Sequence, residues 1–347
     1  MKLIVQIPCL NEEETLPATL EDLPRQIDGV DEIELLVIDD GSTDRTVEVA
    51  RECGVHHIVR LTNHKGLAAA FQAGLDASLK LGADVIVNTD ADNQYSGSDV
   101  PKLIAPVLAG DADMVVGDRR VGEIEHFSGP KKALQRLGSW VVRRLSGTGI
   151  ADTTSGFRAY NREAALQLIV VDKFTYTLES LIQAGKMLVA VGQVEIDTNP
   201  KARESRLFES TGAYVRHNGL AILRVYARYE PLRVFATAAV IVGLLAFAAW
   251  MPFLIDWIFN GDSTGHIQSL ILGAVLFIAA LQLFALGVLG DLLAGQRVMT
   301  QRVFERVRRV ELALGVPPSH YQPGAGGPAA EAGQGTEPQA AVERIGA

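Results

Sequence analysis

Short apolar runs alternate with longer amphipathic segments along the first 120 residues. Leu3–Ile7, Ile33–Ile38, Ile58–Leu61 and Asp84–Asn88 read as strands, with Met114–Val116 as a further short β segment. Between them, Glu12–Gln26, Thr43–Glu52 and Lys65–Leu81 read as helices, with Ser42 or Thr43 placed to cap the second. Strands alternating with helices predict an α/β domain built on a mostly parallel sheet. Such sheets bind ligands beyond the carboxyl ends of their strands. The acidic clusters of this chain fall at those ends.

The pattern changes further on. Lys131–Leu145 reads as a basic helix and Asn161–Ile169 as another. In Tyr214–Tyr229, Val215, Gly219, Ile222, Tyr226 and Tyr229 share one helical face, with Arg216, Arg224 and Arg228 opposite. That is the pattern of a helix lying on an anionic membrane surface; a surface helix packed on the domain is the alternative. Val234–Ile255 and Gln268–Gly290 carry no charge, and each is about 20 residues, enough to cross a bilayer as a helix. Between these two spans, Asp256–His266 has no Lys or Arg. Arg224, Arg228 and Arg233 precede the spans, and Arg297, Arg302, Arg306, Arg308 and Arg309 follow them. The positive-inside rule then puts both flanks and both termini in the cytoplasm, making this a multi-pass protein of the cell membrane. Trp250 and Trp257 suit the outer interface, and the Gly/Ala/Pro-rich tail from Pro317 is expected to lack structure. The expected organisation is a catalytic domain over 1–212, an interfacial helix over 213–231, a transmembrane hairpin over 232–293, a basic juxtamembrane helix over 294–316 and a tail over 317–347.

Composition narrows the function. The 347-residue chain is 48% hydrophobic with a formal charge of −9, which argues against a nucleic-acid partner. Its two cysteines, Cys9 and Cys53, have no metal-ligand spacing and fit a reduced, cytosolic domain. The apolar start is too short before Asn11-Glu12-Glu13-Glu14 for a signal peptide.

Asp90-Ala91-Asp92 is the strongest single candidate site. Residues two apart in extended chain point the same way, so two carboxylates at a strand end can chelate Mg²⁺ or Mn²⁺ together with substrate phosphates. Gln94 can supply a further oxygen. Asp39-Asp40-Gly41-Ser42 ends the second strand, where a carboxylate can take a base N–H or ribose hydroxyls, or form an Asx turn capping the next helix. Lys65, in Asn63-His64-Lys65-Gly66, brings a cation to the same edge. No His–carboxylate pair stands out as a general base.

Five motifs occur in order: Ile7-Pro8-Cys9-Leu10-Asn11-Glu12-Glu13, Val37-Ile38-Asp39-Asp40-Gly41-Ser42-Thr43-Asp44, Asn63-His64-Lys65-Gly66, Asp90-Ala91-Asp92-Asn93-Gln94-Tyr95 and Thr154-Ser155-Gly156-Phe157-Arg158-Ala159-Tyr160. Together they resemble inverting family 2 glycosyltransferases of the GT-A fold. More narrowly, they resemble the polyprenyl-phosphate branch of dolichyl-phosphate mannose synthases and bacterial undecaprenyl-phosphate sugar transferases. The resemblance covers residues 1 to 230 and implies a Rossmann-like, mostly parallel sheet.

It also implies roles. Pro8, Asn11, Glu12 and Asp39, with Asp40, Lys65, Asp90 and Ala91, hold the nucleotide-sugar. Asp90, Asp92 and Gln94 meet the metal, and Arg119 contacts phosphate, beside Asp118 where the family has a small residue. Lys131, Lys132, Gln135 and Arg136 receive the lipid phosphate; the family's arginine and serine are replaced there by Lys131 and Gln135. The catalytic set is Asp92, Arg119 and Lys131. Glu179 falls at an acidic position of the family, Arg158 is structural, and Lys201, Arg203 and Arg206 belong to a loop over the site. The implied partners are a nucleotide-sugar donor, a polyprenyl-phosphate acceptor and membrane lipid, with a homo-oligomer left open. Three rivals stand beside this reading: a transferase of the same fold acting on a hydroxyl, a sugar-nucleotide pyrophosphorylase, and a catalytically dead membrane scaffold. The chain lacks the Gln-x-x-Arg-Trp run of processive synthases and the Gly-rich first loop of sugar-nucleotide pyrophosphorylases.

Overall fold

A computed structural model describes residues 1–120, 140–170, 176–199, 224, 226–260 and 266–326. Four parallel strands organise it: β1 (Lys2–Cys9), β2 (Glu32–Asp39), β3 (His57–Arg60) and β4 (Val85–Asn88). Every residue of β1 after Lys2 is buried. A strand covered on both faces gains from apolar residues at successive positions, which is why these segments read as continuous hydrophobic runs. Helices α1 (Leu16–Asp22), α2 (Thr46–Glu52), α3 (Leu67–Lys80) and α4 (Val100–Leu108) cover the two faces. One core forms under α3, where Phe71 stacks on Tyr176 with ring centroids 4.5 Å apart. The other holds Leu16, Leu20, Val47 and Leu103.

Helix boundaries differ from the sequence expectation for local reasons. Asn11 takes a left-handed conformation (φ 54°), and Glu12 to Thr15 turn before α1 begins. Pro24 forbids continuation to Gln26. The residue at the start of α2 is Arg45, so neither Ser42 nor Thr43 caps that helix. Both are tied instead to Asn11: its N–H donates to Ser42 Oγ at 2.9 Å, and its Oδ1 accepts the Thr43 N–H at 2.8 Å.

The sheet continues beyond the sequence expectation. β5 (Met114–Asp118), β6 (Arg158–Asn161), β7 (Val191–Glu195) and β8 (Tyr321–Pro323) give the order β7-β5-β6-β4-β1-β2-β3-β8. β6 runs antiparallel between β4 and β5, and β8 antiparallel to β3. β6 hides from a polarity reading because it opens on a fully buried arginine, Arg158. Asn161 caps α5 (Arg162–Gln167), accepting the Ala164 N–H at 2.8 Å. α6 (Tyr176–Lys186) follows.

α7 (Pro231–Ile255) and α8 (Ile267–Ala313) are each long and apolar enough to cross a membrane. They form a hairpin in which Gly273 lies flat against the Trp250 indole, leaving no room for a Cβ. α8 is one helix of 47 residues, so the segment expected as a separate juxtamembrane helix is a direct extension of the second span. That extension docks on the catalytic domain. Arg308 Nη1 donates to the carbonyls of Ala165, Leu166 and Leu168, satisfying the open end of α5. Lys80 pairs with Glu311 at 3.0 Å, and Arg309 with Glu163 at 2.5 Å. Arg308 and Arg309, expected as flanking charges at the membrane, therefore serve protein contacts.

The tail differs as well. Tyr321–Pro323 is not structureless but extends the sheet, and Tyr321 Oη lies 2.9 Å from His57 Nδ1. His57 Nε2 meets Glu34 at 2.8 Å, and Lys2 Nζ meets the same carboxylate at 2.7 Å. Burial opposes the charge of Glu34, but His57 and Lys2 outweigh it and bring its pKa down to about 2.

Candidate active site

A cleft of about 520 Å³ opens beyond the carboxyl ends of β1, β2 and β4. Pro8, Cys9, Leu10 and Glu12 line it from β1, Asp40 from β2, His64, Gly66, Leu67 and Ala70 from the β3–α3 side, and Asp90, Ala91 and Asp92 from β4. Of the residues expected to hold the donor, Pro8, Glu12, Asp40, Asp90 and Ala91 are thus brought together.

The others sit differently. Asp39 is fully buried; its Oδ1 accepts the Ser42 N–H at 2.9 Å, and Arg60 Nε approaches its Oδ2 at 3.4 Å. Asn11 has its carbonyl oxygen engaged with Thr43. The Lys65 side chain is exposed at the rim, and its backbone N–H donates to Asp40 Oδ1 at 2.8 Å. Asp40 Oδ2 accepts the Gly66 N–H at 2.9 Å. Asp40 is therefore an anchor for the 64–66 loop as well as a wall of the cleft.

The acidic pair is shaped by its neighbours. Burial, and after it the adjacent Asp92, push the Asp90 carboxyl up to about 6. Gly156 lies so close that a Cβ there would sit 2.9 Å from Asp90 Oδ2 and 2.7 Å from Tyr176 Oη. The loop before β6 is held in that place by Arg158, which donates to the carbonyls of Ser155, Thr177 and Thr153 and to Ser180 Oγ. Its structural role is direct. Tyr95 Oη accepts the Gly156 N–H at 2.9 Å, and its ring stacks on Phe157.

Asp92 Oδ2 accepts the Gln94 side-chain amide N–H at 2.6 Å. Gln94 therefore turns its nitrogen, not its oxygen, toward the pair and orients Asp92. Among the described residues no cluster of three or more His, Cys, Asp or Glu could hold a metal. Two carboxylates at a strand end fit a divalent cation whose other ligands are phosphate and water oxygens.

Arg119 follows β5 and does not line the cleft, although it is close enough to favour the charged form of Asp90. Its Nε and Nη2 clasp Asp152 at 2.7 and 3.0 Å, and Nη2 also meets Thr154 Oγ1 at 3.0 Å. The guanidinium lies 5.9 Å from the Tyr95 ring centre. Burial alone would weaken its basicity; Tyr95 and the Asp152 carboxylate outweigh that and raise it. Asp118 is occupied elsewhere, accepting the Arg120 N–H and the Gln193 amide at 2.8 and 2.7 Å.

The structure also brings together a pair that the sequence did not offer. His64 Nδ1 lies 2.8 Å from Asp40 Oδ2 at the cleft wall, a His–carboxylate pair. The two residues are 24 positions apart, so only the β2–β3 crossover makes them neighbours. Lys131, Lys132, Gln135, Arg136, Arg216, Lys201, Arg203 and Arg206 lie outside the described residues. Glu179 is buried on α6, where Arg228 approaches it at 3.9 Å; with Gln183, Arg297, Gln301 and Phe304 it lines a cavity of about 150 Å³ between the domain and α8.

A mixed, mostly parallel sheet with an acidic pair at the β4 end and an arginine nearby is the arrangement of a glycosyltransferase of the GT-A type. Residues 4–169 match the glycosyl transferase family 2 model. Polyprenol monophosphomannose synthase of Mycolicibacterium smegmatis is 31% identical over 61% of this chain and 82% of its own length. Undecaprenyl-phosphate mannosyltransferase of Micrococcus luteus is 31% identical over 67% of this chain and 98% of its own. Among solved structures, glucosyl-3-phosphoglycerate synthase of Mycobacterium tuberculosis, with Mn²⁺, UDP-glucose and phosphoglyceric acid, superposes with a TM-score of 0.52. It is 26% identical over 64% of this chain and 79% of that one. The chain belongs to glycosyltransferase family 2, in its polyprenyl-phosphate branch.

Proposed function

We propose that this protein moves a sugar from a nucleoside diphosphate sugar to a polyprenyl phosphate at the cytoplasmic membrane face, inverting the anomeric centre. The observation that carries the reading is one cleft in which Asp90 and Asp92 meet the β1 and β2 strand ends, with two apolar helices continuing from the same chain. The named relatives act on polyprenyl phosphates, which agrees.

Pro8, Glu12 and the Asp39–Asp40 end of β2 bound the nucleoside side of the cleft. Asp90 and Asp92 would hold Mg²⁺ or Mn²⁺, which supplies positive charge to the departing diphosphate. Arg119, a permanent cation held by Asp152 and Thr154 close to Asp90, would add fixed positive charge beside the pair. Gln94 and Gly156 fix where the two carboxylates point. Lys131, Lys132 and Arg136 would offset the repulsion between donor diphosphate and acceptor phosphate, and the Gln135 amide could donate a hydrogen bond to the acceptor phosphate. A phosphate acceptor is already anionic at neutral pH, with a second pKa of roughly 6, and so needs no strong base.

The His64–Asp40 pair favours a second reading, transfer to a hydroxyl, because a positioned imidazole could take a hydroxyl proton. One assay separates the two. Purified protein in lipid is given nucleotide-sugars labelled in the sugar, with either polyprenyl phosphate or free polyprenol. Label in the phosphate only supports the proposal; comparable label in polyprenol, lost in His64→Ala, establishes the second reading.

A further inference from the structure

Two polar side chains break the apolar runs of the central strands. In β1, Gln6 stands between Val5 and Ile7; in β4, Asn88 follows Val85, Ile86 and Val87. Both are fully buried. They are partners in the β1–β4 register, so they project to one face of the sheet. That face also carries Ile4 and Ile86, which belong to the core under α3. Leucine at both positions would suit such a core and leave no hydrogen bonds to satisfy. Buried amides there carry a desolvation cost that only good pairing offsets.

The pairing runs toward the acidic pair. Asn88 Nδ2 donates to the Gly156 carbonyl at 2.8 Å and to Tyr176 Oη at 3.4 Å. A carbonyl only accepts, so the Asn88 nitrogen must face it and the Asn88 oxygen must face away. Gln6 meets that oxygen: its Nε2 donates to Asn88 Oδ1 at 2.9 Å. Gln6 Oε1 is then left buried without a partner. Gly74 on α3 makes the room for it, since a Cβ there would sit 2.6 Å from that oxygen. An unpaired buried oxygen is destabilising. What it secures is a single direction for the Asn88 amide.

Gly156 is held at both of its backbone polar groups, the N–H by Tyr95 Oη and the carbonyl by Asn88. Its α-carbon abuts Asp90 so closely that a Cβ would come within 2.9 and 3.1 Å of the two carboxylate oxygens. Asp90 itself follows two residues after Asn88. One amide therefore ties the strand that carries the carboxylate to the loop that packs against it. We infer that Asn88 is a positioning residue for the acidic pair: through the Gly156 carbonyl it sets the gap between the 153–157 loop and Asp90, and Gln6 fixes the amide that does so. This role rests on the reading that Asp90 and Asp92 hold a divalent cation.

Mn²⁺ binding by the full-length protein tests it, followed by loss of the free-ion electron paramagnetic resonance signal. Asn88→Leu keeps the branched shape and removes the amide; Mn²⁺ affinity should fall about tenfold. Val87→Ala controls for damage to the strand. Val87 is equally buried but faces the other core, so this variant should lower the unfolding midpoint and still bind Mn²⁺ within about twofold of the unaltered protein. Asn88→Leu combined with Gly156→Ala should bind no more weakly than the poorer single variant, because both disturb one contact. Losses that multiply overturn the inference. So does an equal loss of affinity in Val87→Ala, which makes the effect one of strand stability alone. Unchanged Mn²⁺ binding by Asn88→Leu, with Asp92→Asn having lost it, overturns the inference and leaves the metal reading standing. If the unaltered protein binds no Mn²⁺, or Asp92→Asn binds it equally well, the metal reading fails and the inference with it. Should Asn88→Leu fail to fold, Gln6→Met decides. It leaves the Asn88 oxygen unpaired and should weaken Mn²⁺ binding; an unchanged affinity overturns the inference.

Discussion

At the scale of single residues, function depends on how closely Gly156 approaches the acidic pair. A methyl group there would meet Tyr176 Oη at 2.7 Å and Asp90 Oδ2 at 2.9 Å; Tyr176 is packed in the core against Phe71, so the carboxylate is the group that must move. Gly156→Ala should therefore move Asp90 and lower the transfer rate by about 100-fold, the order expected for a displacement near 1 Å. Thermal unfolding should show a much smaller change, and a rate within twofold of normal would remove the role given to Gly156. Asp90 also sets a pH dependence. Its raised pKa, about 6, means that protons compete with a cation in mildly acidic solution. Mn²⁺ affinity, followed by titration of the full chain, should fall as pH drops from 7.5 to 5.5, and Asp92→Asn should abolish most of the binding. The aspartates were legible because D-x-D after an apolar run is a local pattern. Gly156 was legible only as part of a motif. His64–Asp40 was not, because the pairing is created by a crossover and leaves no spacing in the sequence.

At the scale of elements, the strands of the parallel half could be read directly, because burial on both faces makes each a continuous apolar run. Three elements could not. Arg158 disguised β6, half-exposed positions disguised β7, and Gly and Pro around Tyr321 disguised β8. β8 is the element with a testable consequence. It pins the end of α8 to the sheet edge through backbone pairing with β3 and through Tyr321, His57 and Glu34. Tyr321→Phe removes one hydrogen bond and should cost about 1 kcal/mol, read as a lowered unfolding midpoint. Glu34 makes this edge acid-sensitive. Its folded pKa of about 2 lies below the ordinary glutamate value, so its contribution is complete above about pH 5 and is lost as pH falls toward 2. Glu34→Gln should flatten stability over that window and leave it unflattened above pH 6. An unchanged acid profile in the variant would show that the carboxylate is not what holds the edge.

At the scale of the whole molecule, the catalytic domain and the two long apolar helices are joined at several places, among them Arg308 on α5, Arg309 on Glu163, Glu311 on Lys80, and β8 on β3. In the proposed topology these joins put the domain on the same side of the bilayer as the C-terminal end of α8. The charge distribution says which side that is. Arg224, Arg228 and Arg233 precede the hairpin and Arg297, Arg302 and Arg306 follow it, while Asp256–His266 carries no Lys or Arg. In the proposed topology the positive-inside rule keeps both flanks in the cytoplasm, on the same side as the proposed nucleotide-sugar donor, which cannot cross a bilayer unaided. The test uses the native thiols to advantage. Cys9 is buried, so Cys53→Ser leaves a chain with little background reactivity toward a membrane-impermeant maleimide. Ser263→Cys, which falls between the two apolar segments in the sequence, should label in intact cells without permeabilisation. Ser319→Cys, next to β8, should label only after the membrane is opened. The reverse pattern would place the cleft outside, away from any cytosolic nucleotide-sugar, and would require a different donor. Labelling of both cysteines in intact cells would instead mean that the helices do not form a hairpin across the bilayer, and the positive-inside argument would lose its basis.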